Sequence, residues 1–324
     1  MTEFYDGNFG MRRPGILAAN ACFWLAGVGL VLLNILARPL FGAIYGLFGP
    51  IGDTAALFLA DAVYYLPCLL LPGLLLARKY GAEGMRLGPL PMGMAVMSVL
   101  VAVLCVPAVN ALTLLWSALL EGLGLALAET DIAMETTGDL MMGVLALGVM
   151  PGICEELLFR GAVLGGYEGH GTKRAIFISA LLFASLHGSV QGLPGQFLMG
   201  LVLGTVVCHS GSLYAGMILH TTYNSALLML TYAIRDIPVD DGGTLLEGLG
   251  GGIGMLSIVL ECAVVLAILW MVMGYFRRRS VGDWNVPGER KPLGVCELLV
   301  LISGVVTVIY LYCSDILYMM GVAL

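Results

Sequence analysis

Charge is what this sequence has least of. Of its 324 residues only 11% are charged, against roughly 25% in a soluble domain, while 59% are hydrophobic and the mean hydropathy is +0.95. That scarcity excludes an ordinary soluble domain. No basic arm and no interleaving of aromatic with basic residues is present, so nucleic acid is not an expected partner. The eight cysteines form no C-x-x-C pair and lie mostly in apolar runs, so they read as small packing residues in reduced form. No internal period of 20–50 residues and no low-complexity tract appears, which excludes a repeat array. The H-E-x-x-H signature of zinc proteases is absent as well.

What the sequence does have is a succession of apolar runs. They fall at about 16–37, 54–77, 92–119, 140–164, 174–187, 196–208, 213–234, 253–276 and 293–323. At roughly 20 residues per crossing this predicts an all-α, polytopic transmembrane bundle of eight or nine spans. The first run is too long for a signal-peptide core and reads as a retained span. With the N-terminus inside, the inner loops hold twelve Lys and Arg residues, including Arg12, Arg13, Arg86, Arg277–Arg279, Arg290 and Lys291. The outer loops hold only Arg38 and Arg235, while the acidic segments 121–139 and 236–247 fall outside. This positive-inside bias predicts a cytoplasmic N-terminus in a cell membrane.

The run 140–164 contains Glu155, Glu156 and Arg160. An ionised group at membrane depth costs on the order of 3 kcal/mol, so three in six residues need a reason. On a helix Glu156 and Arg160 are i,i+4 and can neutralise each other. Glu155 points about 100° away and is free to face a cavity. Two further patterns follow. Phe183 and His187 share a helix face, as do His220 and Asn224. One carboxylate, two imidazoles and a carboxamide converging on a cavity supply what water activation needs: a base, donors for an oxyanion, or ligands for a metal. Each piece also has a structural reading. An intramembrane His can serve as a helix–helix hydrogen bond, Glu156–Arg160 as a structural pair, and Phe183 as a pocket wall. Asp61, Glu261, Glu297 and Asp315 are acids without evident partners.

The order Glu-Glu-x-x-x-Arg, Phe-x-x-x-His, His-x-x-x-Asn within apolar helices resembles the CPBP family of intramembrane proteases. That family groups type II CAAX prenyl endopeptidases with Abi-type proteins. The resemblance covers about 145–230 and departs nowhere at the motif positions. It implies a helical bundle that hydrolyses peptide bonds within the membrane. By it, Glu155, His187, His220 and Asn224 would be catalytic, with Glu156, Arg160 and Phe183 in support. It also divides the chain into N-terminal helices (1–139), a catalytic core (140–234) and C-terminal helices (235–324), all in one membrane domain.

The expected substrate is a membrane-embedded or lipidated peptide or protein, met in the bilayer. The alternative is a non-proteolytic scaffold or bacteriocin-immunity protein. A proton-coupled transporter using Glu155, Glu261 and the histidines as a relay ranks below both. No cofactor is favoured. Zinc is the possible one, held by His187 and His220, but Asn224 is a poor zinc ligand, and the preferred base is Glu155 itself. The spans place Glu155 in the last third of the fourth and His187 at the far end of the fifth. Irregular helices and a cavity opening toward the inner loops are expected from this.

Overall fold

In a computed structural model, residues 4–5, 12–48, 53–127, 134–236, 245–248, 250–280 and 292–322 are described. Glu129, Asp131, Arg290 and Lys291 lie outside them. The apolar runs fold as helical rods. They are α1 (Ile16–Phe48), α3 (Met92–Gly122), α5 (Thr172–Leu186), α6 (Leu193–Ser210), α7 (Leu213–Ile234), α8 (Gly251–Arg278) and α9 (Val295–Met319). Two composite rods complete the set. α2 joins Asp53–Tyr65, Leu66–Leu70 and Leu71–Gly84, and α4 runs through Thr137–His170. Among the described residues the strand pairing is a two-rung antiparallel ladder of Phe4–Tyr5 with Arg12–Arg13.

Seven of these rods are long and apolar enough to cross a membrane, and the chain is an integral membrane protein. The two that fall short are α5 and α7. α5 has only 15 residues. α7 has 22 but carries His220, Thr221, Thr222, Asn224 and Ser225. Polar groups of this kind are tolerated at membrane depth when they face protein rather than lipid, and His220 and Tyr223 are buried. The polarity that makes α7 less apolar than its neighbours is the candidate site itself.

The rods alternate in direction, and contacts between their ends separate two faces. At one end Arg13 and Arg86 both pair with Glu168, Leu213 N donates to Arg86 O at 2.7 Å, and Ser280 Oγ donates to His209 O at 3.1 Å. Burial and the neighbouring Arg13 charge lower the pKa of the Arg86 guanidinium to about 10, so it stays charged at neutral pH. At the other end Trp116 Nε1 donates to Val190 O at 2.8 Å, Ala126 N to Met319 O at 2.8 Å, and Leu245 N to Glu121 Oε2 at 2.9 Å. The first group carries Arg13 and Arg86 and is the basic end.

Two apolar clusters flank the centre. Phe23, Leu158, Phe159, Phe183 and Val308 join α1, α4, α5 and α9. Val101, Cys105, Leu203, Leu219 and Phe276 join α3, α6, α7 and α8. Between them α4 meets α7 almost backbone to backbone. A Cβ on Gly152 would lie 3.0 Å from Thr221 N, and one on Gly148 would lie 2.7 Å from Ser225 Oγ. This small-x-x-x-small face sets the glutamates of α4 beside the polar stripe of α7. The sequence pattern Gly200-x-x-x-Gly204 is also a contact face. Gly200 lies against the backbone of Ala180, and Gly204 against Ile176.

Candidate active site

α4 is not a uniform helix. Wide π turns occupy Val144–Val149 and Leu157–Val163, bracketing the regular stretch Met150–Glu156. Such bulges recur at functional sites. Pro151 lies in that stretch and has no N–H to offer Leu147 O four residues back. The freed carbonyl accepts instead from Asn224 Nδ2 at 2.8 Å. A proline on one span therefore anchors the carboxamide of another. α2 carries a similar widened turn at Leu66–Leu70, with Pro67 near its start, directly after Tyr65.

Glu156 and Arg160 pair as their i,i+4 spacing demands, at 2.7 Å and with both side chains wholly buried. Arg160 also donates to Gly200 O at 3.3 Å and stacks over the Phe183 ring, 4.3 Å from its centre. Glu156 Oε1 lies 3.0 Å from His220 Nδ1 as well. With Glu156 matched to Arg160, it is the acceptor and His220 Nδ1–H the donor, which leaves Nε2 uncommitted. His187 is held in the same way, its Nδ1 lying 2.9 Å from Phe183 O. The Phe183 ring meets His187 and His220 edge to face at 4.9 and 5.8 Å. Phe183 is thus the wall against which the guanidinium and both imidazoles are stacked.

Glu155 faces elsewhere, as its 100° offset requires. Its Oε1 accepts from Tyr65 OH at 2.8 Å, while Oε2 has no hydrogen-bond partner among the described residues and lies 4.0 Å from His220 Nε2. Glu155, His187, His220 and Asn224 all line one cavity of about 550 Å³, together with Tyr65 and Phe183. Glu156 and Arg160 are not among its lining residues and stand behind it. Glu261 is exposed on α8 and is not a lining residue either, so it stands apart from any relay through Glu155.

Contrary to the expectation from the apolar run 140–164, Glu155 does not lie in the last third of its span. α4 is about 50 Å long at 1.5 Å per residue, and Glu155 sits near its middle rather than near its inner end. α5 is only about 22 Å long, so His187, at its C-terminal cap, reaches the same level. The groups converge because one helix is overlong and the other is short.

Several residues of the site were not singled out in the sequence. Tyr65 is the chief one, and the signal available was the pair Asp61 and Pro67 on its own span. The loop after His187 is held by two more. Gly188, at φ +62°, ends α5, and then Val190 N donates to Asp315 Oδ2 at 2.7 Å while Val190 O accepts from Trp116. Asp315 therefore has a partner, and so has Glu297, whose Oε2 caps Gly294 N at 2.8 Å at the start of α9.

Residues 137–226 match the family model of type II CAAX prenyl endopeptidases, Rce1-like. The Rce1-like segment contains every motif residue from Glu155 to Asn224 and leaves out Tyr65, Trp116 and Asp315. At the family level this supports intramembrane protease activity of the CAAX type. No curated protein and no solved structure matches the chain.

Zinc can be tested against the donors. Both imidazoles keep Nε2 free, which suits a ligand. Their placement does not suit one. Among the described residues no three of His, Cys, Asp and Glu gather closely enough to hold a metal ion.

Proposed function

We propose that this protein is an intramembrane endopeptidase in which Glu155 activates water. The observation that carries the reading is the convergence of Glu155, His187, His220 and Asn224 from α4, α5 and α7 on a single cavity. The catalytic core is residues 140–234, and the flanking helices complete the same membrane domain. The substrate is a membrane-embedded or lipidated peptide.

Oε2 of Glu155 is the basic atom, because Oε1 is already committed to Tyr65. Oε2 takes a proton from water as the water oxygen bonds to the scissile carbonyl carbon. The carbonyl oxygen becomes an oxyanion. Asn224 has a second N–H beyond the one given to Leu147 O, and His220, when doubly protonated, has Nε2–H. Both can donate to that oxygen. On collapse the C–N bond breaks, and protonated Glu155 returns the proton to the leaving amine. His187, beside the same Phe183 ring as His220, also lines the cavity and orients the carbonyl. No step of this mechanism needs a metal.

The test is turnover of quenched fluorescent apolar peptides by the purified full-length chain in detergent or nanodiscs, before and after exhaustive chelation. Unchanged turnover with no bound metal on the same sample is the expected result. Loss that returns stoichiometrically with zinc would overturn the metal-free mechanism, and the absence of cleavage across a broad library would overturn the protease reading.

Tyr65→Phe gives a finer test. It removes one hydrogen bond to a carboxylate, worth about 1.5–3 kcal/mol, so turnover should fall about 10- to 100-fold with KM unchanged and Tm modestly lowered. In a Glu155→Asp background, whose shorter side chain moves away from the phenol, the same change should cost almost nothing. An equal fall in both backgrounds would mean that Tyr65 does not act through Glu155.

A further inference from the structure

The two imidazoles of the cavity are held differently. His220 is only 4% exposed and is pinned through Nδ1 to the Glu156 carboxylate. His187 is exposed, and the hydrogen bond its ring makes among the described residues is to Phe183 O on its own helix. It also lines a second cavity, of about 650 Å³, where α1 and α9 contribute Asn34, Ser314, Asp315 and Tyr318. An imidazole that borders two open spaces is not fixed by packing. Its place is set by the backbone that carries it. That backbone is the end of α5, where His187 N and Gly188 N turn back on Ala184 O and Ser185 O at 3.3 Å, the tighter pattern of a helix terminus.

α9 closes on that turn with one face. Leu311 and Asp315, at i and i+4, share the face, and Tyr312 flanks it. A Cβ on Gly188 would lie 3.0 Å from Leu311 Cβ. Tyr312 OH donates to Ala184 O at 3.3 Å. Asp315 Oδ2 accepts from Val190 N at 2.7 Å, and Trp116 Nε1 of α3 donates to Val190 O at 2.8 Å. Val190 is thus gripped from both sides just beyond His187. Asp315 is the only charged residue of α9 after Glu297. A carboxylate within a membrane helix is expensive and marks a function, and its bond to an N–H is charge-assisted and stronger than a neutral one. Neither α3 nor α9 belongs to the family-matching residues 137–226.

We propose that Asp315 is a positioning residue for His187: by holding Val190 N–H it fixes the turn that ends α5 and so keeps the imidazole in place on the wall of the catalytic cavity. This deepens the proteolytic reading and rests on it. The family-matching segment supplies the imidazole, and a helix outside that segment supplies its placement.

The experiment compares full-length wild type, Asp315→Asn and Asp315→Leu for turnover, Tm and hydrogen exchange of the backbone across 187–192. An Asn oxygen still accepts from Val190 N, whereas Leu accepts nothing. A misplacement of about 1 Å can cost a catalytic site about 100-fold. Asp315→Leu should therefore lower kcat about 10- to 100-fold with KM unchanged. Exchange protection should be lost across 187–192 and kept elsewhere. Asp315→Asn should stay close to wild type in both. An unchanged kcat in Asp315→Leu would overturn the inference. So would an Asp315→Asn as slow as Asp315→Leu, because the charge rather than the anchored turn would then be what matters. Protection lost throughout the chain would make Asp315 a stability residue and overturn it equally. If Asp315→Leu does not accumulate, Asp315→Ala is read against Asp315→Asn with the same expected split, and if neither accumulates the inference falls. Exchange is measured without substrate. If the wild-type chain cleaves nothing while Asp315→Leu frees the turn, the protease reading fails and the anchoring of His187 stands.

Discussion

Glu155→Gln should abolish peptide cleavage and leave the fold intact. The amide keeps the shape of the carboxyl, and its oxygen can still accept from Tyr65 OH, so the contact between α2 and α4 survives. What is lost is the capacity of Oε2 to take a proton. General-base catalysis contributes roughly 10²- to 10⁴-fold, and the residual rate should come from binding and from the oxyanion donors alone. Among the described residues Glu155 has no cation within salt-bridge distance other than a protonated His220, whose Nε2 is 4.0 Å away, so neutralising it strands no charge. Yield and thermal stability should therefore match wild type. A variant that loses stability in step with activity would make Glu155 a structural residue, and one that cleaves at the wild-type rate would remove it from the mechanism. The contrast with Glu156, one residue on, is sharp because the two carboxylates point different ways from one turn of helix.

The parts of the site legible in the sequence were those fixed by local helix geometry. The i,i+4 offset placed Arg160 on Glu156, and the 100° offset turned Glu155 away from both. The same spacing put His187 over Phe183, and His220 on a face with Asn224. Runs of apolar residues gave nine rods, because a long stretch without charge has few other ways to satisfy its backbone in lipid. Contacts between distant segments were not legible. Tyr65 reaches Glu155 across 90 residues, and nothing in the segment around Leu66-Pro67 names its partner. The depth of Glu155 was misjudged because its span was ended at 164, whereas α4 runs on to His170 and carries two π turns. Acids that looked unpaired became caps and loop anchors, as with Glu297 and Asp315. Their partners are backbone N–H groups, which carry no signature in the sequence. The residues that lower the hydropathy of α7 identify the site more clearly than they identify the helix.

Arg160→Ala should cost more folded protein than any other single change near the site. Arg160 is the largest wholly buried side chain among the described residues. It makes three contacts: a 2.7 Å ion pair to Glu156, a bond to Gly200 O and a stack on Phe183. Removing it leaves the Glu156 carboxylate buried without its cation, and breaking one partner out of a buried pair costs about 3–5 kcal/mol. The void adds to this, since the guanidinium fills space between α4, α5 and α6. Global stability of a domain is only about 5–15 kcal/mol, so the yield of folded protein and its Tm should both drop markedly. Glu156→Gln strands the guanidinium instead and should fall in the same range. The double change Glu156→Gln with Arg160→Met removes both charges and keeps most of the volume. It should recover much of the lost stability, because buried pairs replaced by apolar groups of similar size are often neutral in effect. It should not recover activity. His220 Nδ1 would then face an amide rather than a carboxylate, and the imidazole would lose the charge that holds its tautomer. A double variant that folds and cleaves normally would show that the pair serves neither stability nor the orientation of His220. Normal Tm in Arg160→Ala alone would rule out the buried pair as a source of stability. The measurements are thermal unfolding in detergent and turnover on the same preparations.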